Sequence, residues 1–439
     1  MPAIVTKDFR VHNARQFLES FSESADTYYL GIGRPQAFAN DQAFNDGTDT
    51  SPPTPVDSVG SVEYYVYDDI LSAKKVTSSD ISLVIPRRNW TTGTVYDYYR
   101  HDYGEINSAG SAITTDSGAS TLLDATFYVM NSTFDVYKVI DNNGGAASTT
   151  EPTGNKTTSV FSTADSYKWK YMYSLTASEQ ANFMSTDFIH VSTNASDIST
   201  TAGAIEHVKI TAGGSGGSNG TYTGVAIRGD GSSGECTVVV SSNAVTSVTI
   251  TTAGSGYTYA SVKASDIGNV SGADIDFIIS PPGGHGSDAI AELGGFFVMM
   301  NVDFTQGDGS GDFNTTNDFR RIVLLRNPTD STTGSTATAT TLDGTKSITF
   351  SGTPGSFQAD EKITQATSGA VGFVVDFNST TKVLRYIQPQ FTNQGVDSDG
   401  NLTAFSSTNT VTGATSSATG TPSSHDTTPE LTADTGDIL

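Results

Sequence analysis

From Ala204 onward the chain spells out one small device twice, a strand of alternating character that runs into a Gly-Ser-Gly turn. AIEHVKITAGGSG (residues 204–216) matches AVTSVTITTAGSG (residues 244–256) at an offset of 40. Val208 with Ile210, and Val248 with Ile250, fall on one side of each strand, so both copies present an apolar face to one core. Glycine supplies the positive φ that a tight turn needs, and β-branched Thr and Val suit a pleated surface. A chain built this way is committed to β-structure, and the expected fold class is mainly β with a few short helices (α+β).

The rest of the composition agrees. Gly numbers 44, and only 16% of residues are charged against about 25% in an ordinary globular chain. The net charge of −24 arises from 23 basic and 47 acidic residues. Such a chain repels a phosphate backbone, whose binding requires a basic stripe, so a nucleic-acid partner is excluded. The single Cys236 permits no intrachain disulfide. No apolar run approaches the roughly 20 residues needed to span a bilayer, and Met-Pro-Ala-Ile at the N-terminus lacks the pattern of a secretory signal. These features predict a soluble product made in the cytoplasm, without membrane insertion.

With 439 residues, about two to four domains of ordinary size would fit. The texture suggests another division: a discontinuous core domain carrying two repeat-built β modules. Residues 1–200 are rich in aromatics and form the first part of the core. They include one amphipathic helix over residues 12–23, with Ala14, Phe17, Leu18 and Phe21 on one face and Asn13 as its cap, and strands at 27–31, 61–67, 81–85, 126–130 and 134–140. Residues 201–282 are the inserted module of Gly/Ser turns. Residues 283–330 regain an aliphatic texture and return to the core. Residues 331–425 comprise a Thr-rich run (331–341), read as a linker or exposed strand edge, and a second module. There FQADEKITQATSGAVG (357–372) aligns with FSSTNTVTGATSSATG (405–420) at an offset of 48. Residues 426–439 begin a C-terminal core segment.

Catalytic chemistry is hard to find in this sequence. The six histidines are mutually distant and no HExxH or Cys/His cluster occurs, so no sequence-local zinc site exists. Asp308, Ser310, Asp312 and Asn314 alternate as calcium ligands do, as do Asp397, Asp399 and Asn401. Neither set has the glycine and the glutamate of a calcium loop at the required positions, and both are read as polar turns. GGSGGSNG (213–220) lacks the following helix and Lys of a phosphate loop. No GxSxG elbow stands out. The chain is therefore read as having no enzymatic activity, no cofactor and no metal.

Contacts are expected instead at VIPRRNW (84–90) and VYDYYRHDY (95–103). Pro86, Arg87, Arg88 and Trp90 there, and Pro52, Pro53, Pro55 and Asp57 in the rigid SPPTPVDSV loop (51–59), are the candidates for protein-interface or core-shaping roles. Arg87 and Arg88, with Arg320 and Arg321, are scarce cations that either neutralise carboxylates of the same subunit or meet an acidic partner. YKWKYMYSL (167–175) reads as an amphipathic strand with Trp169, Tyr171 and Tyr173 inward.

Five segments in this order, LGIGRPQAF (30–38), SPPTPVDSV, VIPRRNW, YKWKYMYSL and DFRRIVLLRNP (318–328), resemble the baseplate wedge subunits of T4-like contractile-tailed phages, the eighth gene product type. The resemblance covers residues 1–200 and 283–330. It implies a structural virion protein of the tail baseplate, assembled in the host cytoplasm, that forms a homodimer within each wedge, contacts other wedge proteins and relays baseplate rearrangement to sheath contraction. The two repeat modules depart from the family pattern and are similar to repeats of marine and cyanobacterial phage structural proteins, which points to a myophage of that origin. They also favour an alternative in which the chain is a peripheral tail adhesin binding host surface glycans; a tail-associated glycan hydrolase ranks third. The chain stops at TADTGDIL, where Gly436, Asp437, Ile438 and Leu439 resemble the start of a longer family segment. Residues beyond Leu439 are therefore expected to follow, and an intact mass of 46.0 kDa for the natural protein would contradict this.

Overall fold

The computed structural model describes residues 6–33, 48, 50–51, 70–304, 319–388, 395–431 and 437–438, apart from 24, 104, 107–109, 120, 193–197 and 400. Strands predominate, with three α-helices among the described residues, so the fold is mainly β. The chain divides into two compact units, Met1–Leu18 with Ser82–Met300, and Glu19–Ile81 with Asn301–Leu439.

Helix α1 (Lys7–Ser20) starts five residues before the expected position. Thr6 caps it, its hydroxyl accepting from the Phe9 N–H at 3.3 Å. Asn13, the expected cap, sits exposed in mid-helix. The first turn faces solvent, and its one apolar residue, Phe9, is exposed and lies off the buried face, so hydrophobic periodicity carried no trace of it. Val11 and Ala14 are the buried residues, and Leu18 packs against the same core.

In the first unit the aromatic core sits on a four-stranded antiparallel sheet ordered Tyr128–Met130, Asp135–Asp141, Lys168–Ser174, Phe161–Ser162. The tight connection between the first two strands is organised by Asn131, whose side-chain oxygen accepts from the N–H groups of Thr133 (3.0 Å) and Asp135 (2.9 Å). Trp169, Tyr137 and Tyr173 are fully buried. Trp169 and Tyr171 lie opposite Val139 and Tyr137. The strand Lys168–Ser174 is not amphipathic as expected: Lys170 and Met172 on its other face are buried too, because residues from elsewhere in the unit cover that side. A three-stranded sheet has Ile81–Pro86 between Phe297–Met300 and Phe188–His190.

Within the same unit the two 40-offset repeats become the strands Ile205–Ser215 and Ala244–Thr252. The first pairs with Ser271–Ile279, and the second with Glu235–Ser241. Val208, Ile210, Val248 and Ile250 all pack against one core built on Ile205, Cys236, Val238, Val240 and Phe277. Cys236 lies inside this core, where burial pushes its thiol up to about 11. The glycine turn is sterically required: Gly214 has φ +70°, and a Cβ there would lie 2.6 Å from Ala273 N. No phosphate cradle is formed, since Gly213–Gly217 leads from strand into strand.

The second unit holds a five-stranded antiparallel sheet ordered Thr341–Asp343, Ile70–Val76, Tyr28–Gly33, Arg321–Arg326, Asp437–Ile438. Part of the Thr-rich run pairs rather than linking freely: Ser335–Thr336 pairs with Thr329–Asp330, and Ala337 is buried. A seven-stranded sheet contains the 48-offset repeats. Lys362–Gln365 and Val411–Gly413 pair antiparallel with Thr364 opposite Thr412, its own repeat equivalent. The two copies thus meet about a local two-fold. Each turn is closed in the same way, Ser368 Oγ accepting from Ala370 N at 3.2 Å and Ser416 Oγ from Ala418 N at 3.0 Å. The first copy adds a feature the second lacks. Glu361 is buried and accepts from Gln358 N (2.7 Å), Thr415 N (3.0 Å), Ser416 N (2.9 Å) and Ser416 Oγ (2.7 Å).

The expected strand at 61–67 and the Asp308–Asn314 turn lie outside the described residues. In the other alternating turn, Asp397 Oδ1 accepts from the N–H groups of Asp399 and Asn401, both at 2.9 Å. A carboxylate engaged with its own backbone in this way is an Asx turn.

Candidate functional site: the arginine corner and a buried charged cluster

Pro86 ends its strand at a point where the missing N–H is not needed, and its carbonyl accepts from the Tyr128 hydroxyl at 2.7 Å. Arg87 donates from its backbone N–H to Asp187 O (2.7 Å) and from its guanidinium to Ser185 O (2.8 Å) and Asn89 Oδ1 (3.1 Å). Arg88 donates to the Ala125 carbonyl and to Leu123 O (3.3 Å), with its guanidinium carbon 4.8 Å from the centre of the Tyr128 ring. The Trp90 indole donates to Ser148 Oγ at 3.1 Å. All four residues are half-buried, and the arginines tie the loops at 123–125 and 185–187 to the strand end through backbone carbonyls. Pro52, Pro53, Pro55 and Asp57 lie outside the described residues.

Glutamine is too short to span these carbonyl pairs. Replacing Arg87 and Arg88 together by Gln is expected to lower unfolding stability by about 2 kcal/mol, from hydrogen bonds worth about 1 kcal/mol each. Urea unfolding of the purified chain checks this. An unchanged midpoint would mean that the pair matters only in assembly.

The segment 95–103 faces inward more than a contact surface would. Tyr96, Tyr98, Tyr99, Asp97 and Arg100 are buried, whereas Val95 and His101 are exposed. Arg100 is held charged by Asp102 and by Asp276, 2.9 Å from its Nη2. Burial pushes the Asp97 carboxyl up, but the Ser117 hydroxyl and the backbone N–H groups of Thr126 and Ser117 outweigh it, and its pKa falls below the ordinary range.

The densest chemistry of the first unit was not singled out from the sequence. Lys138 and Lys170 lie directly opposite each other on adjacent strands, both fully buried. Like charges in that register repel. Glu292, in the short helix Ala289–Leu293 capped by Asp288, supplies the counter-charge through direct contact of its Oε2 with Lys138 Nζ. Lys170 Nζ donates to Thr157 O (2.9 Å) and Tyr171 O (3.0 Å). Lys138 Nζ also lies 4.6 Å from the centre of the Tyr99 ring, and the buried His285 meets that ring edge-on at 5.0 Å.

Burial lowers the pKa of Lys138 against the opposing pull of Glu292, and burial with Lys138 beside it brings Lys170 down to about 8. His285 is pushed well below its ordinary value by burial and the two lysines, and burial raises Glu206. His285 Nε2 and Glu206 Oε2 are 3.9 Å apart. Glu206 Oε2, His285 Nδ1 and Ser199 Oγ are buried without a hydrogen-bond partner among the described residues. Glu206 also lines a cleft of about 540 Å³ shared with Asp141, Lys168, His207, Thr249 and Thr251. The sequence signal for this cluster was a lysine set inside an unbroken apolar strand, VYKVI and WKYMY.

Among the described residues no group of three or more His, Cys, Asp or Glu is placed to hold a metal ion, and no helix is long and apolar enough to cross a membrane. Residues 3–144 match the family model described as Phage-Gp8, bacteriophage T4 Gp8. Over those residues the chain is similar to the T4-like baseplate wedge protein. The matched stretch contains the arginine corner and Lys138. The family is a structural one of the phage tail, and its members are components of the virion baseplate. No curated protein matches the chain.

Proposed function

We propose that this chain is a structural component of the baseplate wedge that joins neighbouring wedge proteins and relays baseplate rearrangement to sheath contraction, without catalysing a reaction. The match of residues 3–144 to the Gp8 family carries this reading. A force-bearing connector needs units that move as bodies, and the aromatic core around Trp169 and the sheets of the second unit suit that demand. On this reading the protein is a homodimer within each wedge, and residues 201–282 and 331–425 are modules added to a wedge core formed by 1–200, 283–330 and 426–439. Pro86, Arg87, Arg88 and Trp90 shape the core beneath the contact surface.

Quantitative mass spectrometry of purified tails tests the proposal. Two copies per wedge, retained when the tail fibres are stripped, are the expected result. Copies lost with the fibres, together with binding of the isolated chain to host cells, would favour the adhesin reading instead.

A further inference from the structure

Lys138 and Glu292 are more than a buried ion pair in their arrangement. Lys138 Nζ touches Glu292 Oε2, while Oε1 accepts from the N–H groups of Gly286 (2.9 Å) and Asp288 (3.1 Å), the Gly286 N–H being shared with Oε2 at 3.1 Å. The carboxyl carbon is thus presented to the amine with Oε1 held by two backbone donors, the nearer of which is shared with Oε2, and with Oε2 on the amine's side. The pair is walled by Tyr99 and by His285, and both side chains are almost wholly withdrawn from solvent. Gly284, on the same loop, has φ +88°, and a Cβ there would lie 2.0 Å from Thr200 O, so backbone packing fixes the path that aims these N–H groups.

We propose that Lys138 and Glu292 condense within the folded chain to form a side-chain amide, an intramolecular isopeptide cross-link, with loss of one water. Transfer of one proton from the Lys138 ammonium to Glu292 gives a neutral amine and a carboxylic acid. The Nζ lone pair attacks Cδ, and the charge developing on Oε1 is held by the N–H groups of Gly286 and Asp288, as in any oxyanion site. A second proton passes from Nζ to Oε2, the Cδ–Oε2 bond breaks, and Oε2 departs as water carrying both protons. The product is a neutral secondary amide, and no oxidant or other reactant is needed.

Glu206 is the group available to carry the second proton. Its Oε2 is buried without a hydrogen-bond partner among the described residues and lies 3.9 Å from Nε2 of His285, whose ring meets the Tyr99 ring that Lys138 Nζ faces, and burial favours its protonated form. Two physical effects drive the condensation. Holding amine and acid in contact replaces a bimolecular encounter, an advantage that reaches effective molarities of about 10⁵ M or more. Forming the amide also abolishes two charges that burial makes costly. The cross-link would join residues 154 apart in sequence, tying the four-stranded sheet to the helix Ala289–Leu293.

Intact-mass measurement of the denatured full chain, followed by fragmentation of its proteolytic peptides, tests this directly. The expected result is a chain one water lighter than its sequence, with a branched peptide joining the segments that carry Lys138 and Glu292. Glu206→Gln is expected to slow the water loss at least tenfold and to flatten its pH dependence, which a merely structural role would leave unchanged. The full sequence mass, with Lys138 and Glu292 in separate linear peptides, would overturn the proposal. So would a lost water without the branched peptide, as an imide at Asp230–Gly231 would give.

Discussion

Replacing Glu292 by alanine is expected to destabilise the first unit by about 3–5 kcal/mol, because it leaves a buried lysine without its counter-charge. Lys138 is fully buried and stands opposite Lys170, so the remaining environment is positive and apolar. The same change leaves the N–H groups of Gly286 and Asp288 without their acceptor. Changing Lys138 to Met together with Glu292 to Leu should recover part of the loss, since a buried pair replaced by apolar groups of similar volume is often tolerated. Denaturant unfolding followed by tryptophan fluorescence reads this out, as Trp169 lies in the core of the same unit. Equal midpoints for the Glu292→Ala protein and the parent would contradict the account.

In the second unit the largest effect is expected at Glu361. Its alanine substitution removes the acceptor of three backbone N–H groups and one hydroxyl, and leaving buried donors unpaired costs about 1–3 kcal/mol each. A loss of about 3 kcal/mol is expected after partial rescue by water. Burial pushes this carboxyl up, but the hydrogen bonds from Ser416, Gln358 and Thr415 outweigh it, so its pKa lies below the ordinary range. A carboxylate depressed in the folded state contributes stability at pH values above its unfolded pKa of about 4.3, and that contribution fades as pH falls through the folded value. The parent should therefore lose stability below about pH 4, and a Glu361→Gln protein should show less of that acid dependence. Urea midpoints of both proteins across pH 3 to 7, a range set by the ordinary carboxylate value, measure it.

The β character of the chain and several strand positions were legible because two local signals coincide in them. In residues 204–216 and 244–256 the period-two alternation ends on glycines whose conformation the turns require, so both the strand and its end are written locally. Helix α1 was legible only from its apolar face: Ala14 and Leu18 mark the buried side, whereas the start at Lys7 depends on a Thr6 hydroxyl and on a first turn whose one apolar residue, Phe9, is exposed. The 48-offset repeat was visible, but the pairing of Thr364 with Thr412 was not, because register between distant segments is a tertiary choice.

The charged cluster was hidden for a related reason. A lysine in a strand ordinarily signals the solvent face; the apolar neighbours of Lys138 and Lys170 were the one local sign that both are covered, and nothing local shows that a glutamate from a one-turn helix 154 positions away reaches Lys138. At the arginine corner the residue types were readable, but their partners were not. Arg87 and Arg88 bind carbonyls of Ser185, Leu123 and Ala125, groups that every residue carries and that no composition reveals.

The central claim is that the chain is a structural part of the baseplate wedge, and a density map of the intact tail of the phage that encodes it tests this most directly. The account predicts that the sheets of both units fit density within each wedge around the hub, in contact with other wedge proteins. Density for the chain found only at the tail periphery, on fibre tips facing the host, would contradict it.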